Sequence, residues 1–132
     1  MADTFRAQLA SFAKGVPVKV DQIRRASILE LFKLIIYSTP VDEGRLRGNW
    51  QTTVNRPAAQ ETARRDTNGG VTLAEVMANM GGLLDVVYFT NNMPYAERIE
   101  YDGWSAQAPE GMVRRHVFRW EQIVAAKAKA YG

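Results

Sequence analysis

A chain of 132 residues with 46% hydrophobic and 23% charged residues has the composition of one ordinary globular domain, far from that of a disordered chain. The absence of cysteine excludes a disulfide framework, a thiolate metal site and a cysteine nucleophile, and a single histidine excludes a His-rich metal centre. The formal charge of +3 is mild and spread along the chain, so it reads as a solvated basic surface, not as a nucleic-acid footprint.

The first residues, Met1-Ala2-Asp3-Thr4-Phe5-Arg6, lack the basic start and apolar run of a signal peptide. The longest apolar run, Leu31 to Tyr37, is broken by Lys33 and is too short to span a bilayer. The expectation is a protein made in a reducing cytoplasm, with no membrane partner.

Thr4 to Lys14 places Phe5, Leu9 and Phe12 at helical spacing, with Asp3 or Thr4 as a cap, and Gly15-Val16-Pro17 punctuates it. A longer helix is predicted from near Lys19 to Asp21 up to about Thr39, where Pro40 stops it. Its apolar residues, among them Ile23, Ile28, Leu31, Leu34, Ile35 and Ile36, span an arc wider than one packing face requires. Such a helix is either central in its domain or meets a partner. Pro40 to Arg47 reads as a turn in which Asp42 accepts amide hydrogen bonds from Gly44 or Arg45, and Gly44 takes a backbone angle other residues resist. Asn49 to Asn55 alternates, with Trp50, Thr52 and Val54 on one face, and predicts a strand.

Arg56 to Gly70 is polar and has no apolar period, so it is predicted to be a long, exposed and mobile loop. Thr72-Leu73-Ala74-Glu75 has the form of a capping box, opening a short helix in which Leu73, Val76, Met77 and Met80 share a face before Gly81-Gly82. Asp85 to Asn91, β-branched and aromatic, predicts a second strand covered on both faces. Pro94 opens a helical turn aligning Tyr95, Ala96 and Ile99, and Tyr101 to Ala108 follows as a loop. The last helix is predicted to begin at Pro109. Its core stripe is Val113, Val117, Trp120 and Val124, and its opposite side carries Arg114, Arg115, Phe118, Arg119 and Gln122. The order of elements predicts one α+β domain over residues 1–132, with a long N-terminal helix and a C-terminal helix packed on a small antiparallel sheet.

Chemistry is sparse in this pattern. His116 borders the apolar stripe of its helix and reads as a packed structural residue. Glu97 and Glu100 stand at helical spacing beside Arg98, which reads as a solvated ion-pair face, not an acid/base pair. Gly69-Gly70 and Gly81-Gly82 fit neither a dinucleotide fingerprint nor a phosphate-binding loop, and no Gly-x-Ser-x-Gly elbow occurs. The residues call for no catalytic site, no metal and no cofactor. Trp50, Tyr88 and Trp104 could stack bases and Arg64-Arg65 or Arg114-Arg115 meet phosphate, but basic and aromatic residues do not interleave in a sustained pattern. Phe118, between arginines on the charged side of its helix, has the character of a protein-interface anchor, which makes Arg114, Arg115, Phe118 and Arg119 the candidate interface.

Two stretches go beyond pattern. The first is Ser38-Thr39-Pro40-Val41-Asp42-Glu43-Gly44-Arg45-Leu46-Arg47-Gly48-Asn49-Trp50. The second runs from Tyr88-Phe89-Thr90-Asn91-Asn92-Met93-Pro94-Tyr95-Ala96-Glu97 through Gly103-Trp104-Ser105 to Ala108-Pro109-Glu110-Gly111-Met112-Val113-Arg114. Together they cover roughly a third of the chain and resemble the minor tail protein Z family of long-tailed bacteriophages, the tail-completion proteins of the neck. Glu43 stands where a small hydroxyl residue is common in that pattern, and Asp102 is an extra residue between Tyr101 and Gly103. Pro40, Asp42, Gly44, Arg45, Trp50, Pro94, Tyr95, Pro109 and Gly111 carry the resemblance, and each reads as a structural residue.

The resemblance implies a virion protein of the tail or neck. About six copies would form a homo-oligomeric ring between a head-side connector or stopper and the tail terminator or tail tube, with DNA passing non-specifically through the lumen. A tail terminator or a head-closure protein of the same neck is the nearest alternative. A small nucleic-acid-binding module is the alternative from another class, and an enzyme ranks below both.

Overall fold

The computed structural model describes the backbone from Ala2 onward and the side chains from Val18 onward. The expected Phe5, Leu9, Phe12 stripe and its cap at Asp3 or Thr4 lie outside the described side chains. In chain order the elements are α1 (Ala2–Ser38), α2 (Arg45–Gly48), β1 (Trp50–Val54), α3 (Gly70–Ala78), β2 (Val87–Asn91), α4 (Ala96–Tyr101), α5 (Arg114–Val117) and α6 (Trp120–Tyr131). The class is α+β, with the long N-terminal and the C-terminal helix present as expected.

Helix α1 passes through Gly15-Val16-Pro17 without ending, where the sequence predicts a break. A proline inside a helix removes a single amide donor, and the alanine- and lysine-containing flanks favour helix on either side. The wide apolar arc is used within the domain: α1 packs against α6, α3 and α5. Ile28, Leu31, Ile35 and Ile36 are buried, while Leu29, Phe32 and Leu34 pack against that core from half-buried positions.

β1 and β2 pair antiparallel, with Trp50 opposite Asn91, Thr52 opposite Phe89 and Val54 opposite Val87. Side chains alternate across a strand, so Trp50, Thr52, Val87 and Phe89 share the face turned to α1. There Phe89 is sandwiched, with ring centroids 4.1 Å from Phe32 and 4.7 Å from Trp50, and both pairs nearly parallel. Such stacks add about 1 kcal/mol each beyond burial. The Trp50 indole N–H donates to Thr39 Oγ1 at 2.8 Å, and that hydroxyl donates to the Ile35 carbonyl at 2.7 Å. This relay ties the end of α1 to the start of β1. The residues of β2 are half-buried, not covered on both faces as predicted, because the sheet has two strands and one helical layer.

The outer edge of β1 is occupied by side chains. Arg64 donates to the Trp50 carbonyl at 2.7 Å, Glu75 accepts the Thr52 amide at 2.8 Å, and Asn79 donates to the Thr52 carbonyl at 3.0 Å. Glu75 is therefore not the partner in a capping box. Helix α3 starts at Gly70, and Asp66 holds its first turn by accepting the Gly69 amide at 2.9 Å and the Thr72 amide at 2.8 Å. Val76 and Met80 are buried as the predicted face requires, but Met77 is 59% exposed.

The predicted C-terminal helix is shorter and divided. Pro109 does not start it; residues 105–113 are a series of turns, and Phe118 and Arg119 interrupt the helix between α5 and α6. The interruption rotates the buried stripe. Met112, His116 and Ile123 are buried, whereas Val117, assigned to the core by sequence, is 46% exposed.

Candidate functional site

The two resemblance stretches, separated along the chain, meet at one place. Pro40 is half-buried after α1, and the chain turns through Gly44 at φ +82°, as its predicted backbone freedom requires. A second reason for glycine was invisible in the sequence: a Cβ on Gly44 would lie 2.8 Å from the main chain of Asp66. The Gly44 carbonyl accepts both the Gly48 and the Asp66 amides at 2.9 Å. Asp42 does not accept amide hydrogen bonds as expected; α2 has no side-chain cap, Gly44 itself holds the cap position, and Asp42 is exposed.

The second stretch answers the first through side-chain bonds. Asn91 Nδ2 donates to the Leu46 carbonyl at 2.9 Å. Gln107 pairs with the main chain of Val41, accepting its amide at 2.9 Å and donating to its carbonyl at 3.1 Å. Between the stretches lies an open cleft of about 590 Å³. The buried Leu46 and Ile99 form its floor, and Tyr95, Trp104, Asp42, Glu43 and Arg45 also line it. Trp104 is 59% exposed, with its ring centroid 6.3 Å from that of Tyr95 and the Arg98 guanidinium 5.6 Å from its own. Pro94 is exposed and leads into a turn closed by the Ala96 amide on the Met93 carbonyl at 3.1 Å.

Glu100 corrects the expectation of a solvated acidic face. It is buried, and its carboxylate accepts three successive amides, from Met112 at 2.7 Å, Val113 at 2.6 Å and Arg114 at 3.2 Å. Gly111, at φ +88°, has to be glycine for this nest: a Cβ would come within 2.6 Å of the Glu100 carboxylate. Pro109 lies inside the turn that Gly111 closes by donating to the Ala108 carbonyl at 3.0 Å. These contacts make Glu100 a buried staple between α4 and α5.

Of the candidate interface residues, Arg114 is already engaged, with its guanidinium 3.6 Å from the Glu100 carboxylate and 4.8 Å from the centre of the Tyr101 ring. Arg115, Phe118 and Arg119 are exposed, and Phe118 is 76% exposed at the corner between α5 and α6. Among the described residues, neither Arg115 nor Arg119 has a carboxylate within 4.0 Å. Behind them His116 is buried, with Nε2 2.6 Å from Ser38 Oγ and Nδ1 without a partner. Burial lowers its pKa, and repulsion from Arg115 and Arg119 lowers it further. Placing the proton on Nε2 leaves Nδ1 with a lone pair instead of an unmet N–H, the cheaper choice. Ser38 Oγ then accepts from the ring, so His116 is a packing pin and not a base for that hydroxyl.

Several functional-looking positions had no signal in the sequence. Asp66 is buried, and although burial raises its pKa, the amides of Thr72 and Gly69 and the nearby Arg64 outweigh that and hold it below the usual carboxylate value. Leu84, fully exposed, sits on a turn fixed by the Asp85 carboxylate, which accepts the Gly82 amide at 2.7 Å and the Asn55 side-chain amide at 2.8 Å. Leu83 and Leu84 follow two glycines and read as a helix exit, so only the fold reveals them as a protruding tip. Among the described residues, no group of three or more His, Asp or Glu side chains could hold a metal, and no helix is long and apolar enough to cross a membrane. No family model, curated protein or solved structure matches the chain.

Proposed function

We propose that this chain is a tail-completion protein of a long-tailed bacteriophage neck, acting as a subunit of a ring that joins tail to head around the DNA path. The observation that carries the reading is the meeting of the two resemblance stretches. Residues Thr39, Leu46 and Trp50 of one, and Phe89, Asn91 and Glu100 of the other, hold the domain together through hydrogen bonds and ring stacking. These motif residues are engaged in making the fold, while others of the same stretches, Tyr95 and Trp104 among them, line the open cleft; that cleft, the Phe118 corner and the Leu84 tip are surfaces with unmet contact potential. A protein whose work is assembly needs such surfaces; a self-contained monomer does not.

The test is genetic and structural. Deleting the gene from a phage that encodes this chain should leave filled heads and separate tails, visible by electron microscopy, and supplying the chain in trans should restore joining. Normal particles from the deletion would overturn the reading. Salt-dependent binding of bare DNA by the isolated chain, with no effect on head joining, would favour the nucleic-acid module instead.

A further inference from the structure

We propose that the cleft beside Trp104 receives the Phe118 corner of a second copy of this chain. The inference rests on the ring reading above and names the contact that would hold the ring. The corner is an aromatic knob: Phe118 ends α5 and Arg119 caps α6, so the ring stands where the helix path bends, with Arg115 and Arg119 beside it. The cleft is the complementary shape. Its volume of about 590 Å³ exceeds that of a phenyl ring, its floor is apolar, and Tyr95 and Trp104 offer ring faces.

Charge decides which way the two fit. The charged residues that line the cleft are Asp42, Glu43 and Arg45; Glu43 lies 3.5 Å from Arg65 and Arg45 lies 4.0 Å from Glu61, with all these side chains exposed. Asp42 has no cation within 4.0 Å among the described residues. Among the described residues the cleft lining thus holds one unpaired carboxylate, Asp42, and one in a long exposed pair, Glu43, against a corner with two unpaired guanidiniums, Arg115 and Arg119. Exposed pairs of this kind add little affinity on their own, but they set register and exclude wrong pairings. The corner and the cleft share no residue, so the contact is head-to-tail, and copies can add in sequence until the ring closes. Both halves of the contact stand on one chain, which is why the occupant is a second copy.

The chain has no cysteine, so single thiols report the contact cleanly. Ala106→Cys places one at the cleft, and Val117→Cys or Gln122→Cys places one at the corner; all three positions are exposed. Mixing a cleft variant with a corner variant under mild oxidation should give a mixed disulfide dimer in clear excess over either homodimer. Adding Asp42→Arg and Glu43→Arg to the cleft variant should cut that yield by about tenfold. Reversing Arg115 and Arg119 to Glu on the corner variant should then restore it. Homodimers as abundant as the mixed product, or a mixed product indifferent to charge reversal, would overturn the contact. This assay reads the purified chain alone, so its failure beside normal head joining would remove the contact and leave the neck reading in place.

Discussion

The irregular segment between β1 and α3 and the corner between α5 and α6 are both rich in arginine, yet they treat their polar groups in opposite ways. In the first, Arg64 donates to Gly48 and Trp50 carbonyls and to Glu75, at 2.7–2.8 Å. Thr62 exchanges hydrogen bonds with Asn49, Asp66 holds two amides, and Asn92 reaches the Ala58 carbonyl at 2.8 Å. At the corner, among the described residues, Arg115 and Arg119 have no carboxylate within 4.0 Å and Phe118 is 76% exposed. Polar groups that are satisfied within the chain build the domain. Those left unsatisfied, beside an exposed ring, are what a neighbour can use.

The largest expected effect comes from breaking the first region at its centre. Asp66→Ala leaves two buried amides without acceptors and should lower stability by about 2–4 kcal/mol, measured by urea denaturation. A loss below about 0.5 kcal/mol would mean that water replaces the carboxylate freely. Gly44→Val should cost about 2 kcal/mol, because it combines a left-handed backbone angle with a contact against the Asp66 main chain. If Gly44→Ala and Gly44→Val melt like the parent, the turn relaxes and the close approach is incidental.

Next in size is an acid effect from His116. Its folded pKa is lowered below 6.5, so the neutral ring contributes stability that is present above 6.5 and is lost as pH falls from there toward the lowered value. Thermal melting of the parent should therefore decline across that window, and His116→Gln should flatten the decline. A parallel decline in both proteins would assign it to other groups.

The smallest effects sharpen the contrast from the other side. Trypsin should cut slowly after Arg64 and Arg65 in the isolated native protein, since their segment is bonded at Gly44, Gly48 and Asn49, and Arg64→Ala should speed that cleavage. Rapid cleavage of the parent would instead bear out the expectation of a mobile loop. Phe118→Asp should change stability by less than about 0.5 kcal/mol while weakening assembly, because the ring is exposed. A large loss of stability would move Phe118 into the core.

Element types were largely legible because periodicity is a local signal. The end of α1 at Pro40, both strands, the Gly44 turn and the exposure of Phe118 follow from neighbouring residues. What stayed hidden depends on partners distant along the chain. Polar composition made residues 56–70 look bare of partners within the chain, but Thr62 and Arg64 hydrogen-bond to Gly48, Asn49 and Trp50. The same cause explains Glu100, whose partners lie twelve to fourteen residues away, and Glu75, drawn from its helix cap to the edge of β1. The start of the last helix was misplaced because Pro109 suits both a helix N-terminus and a turn, and only Gly111 against Glu100 decides between them. Of the cleft, Pro40, Asp42, Arg45, Tyr95 and Trp104 were singled out in advance. Gln107, which closes it, was not, since a glutamine in a loop carries no signature.

The covered edge of β1 has a consequence for aggregation. A strand that joins a sheet needs a row of free amides and carbonyls, and on β1 the Trp50 carbonyl and the Thr52 amide and carbonyl are already taken by Arg64, Glu75 and Asn79. Any further strand, whether from a binding partner or from a misfolded neighbour, has β2 as its only template in this sheet. The sheet can therefore lengthen more readily in one direction, and the three side chains act as a stop against copies of the chain polymerising through both edges.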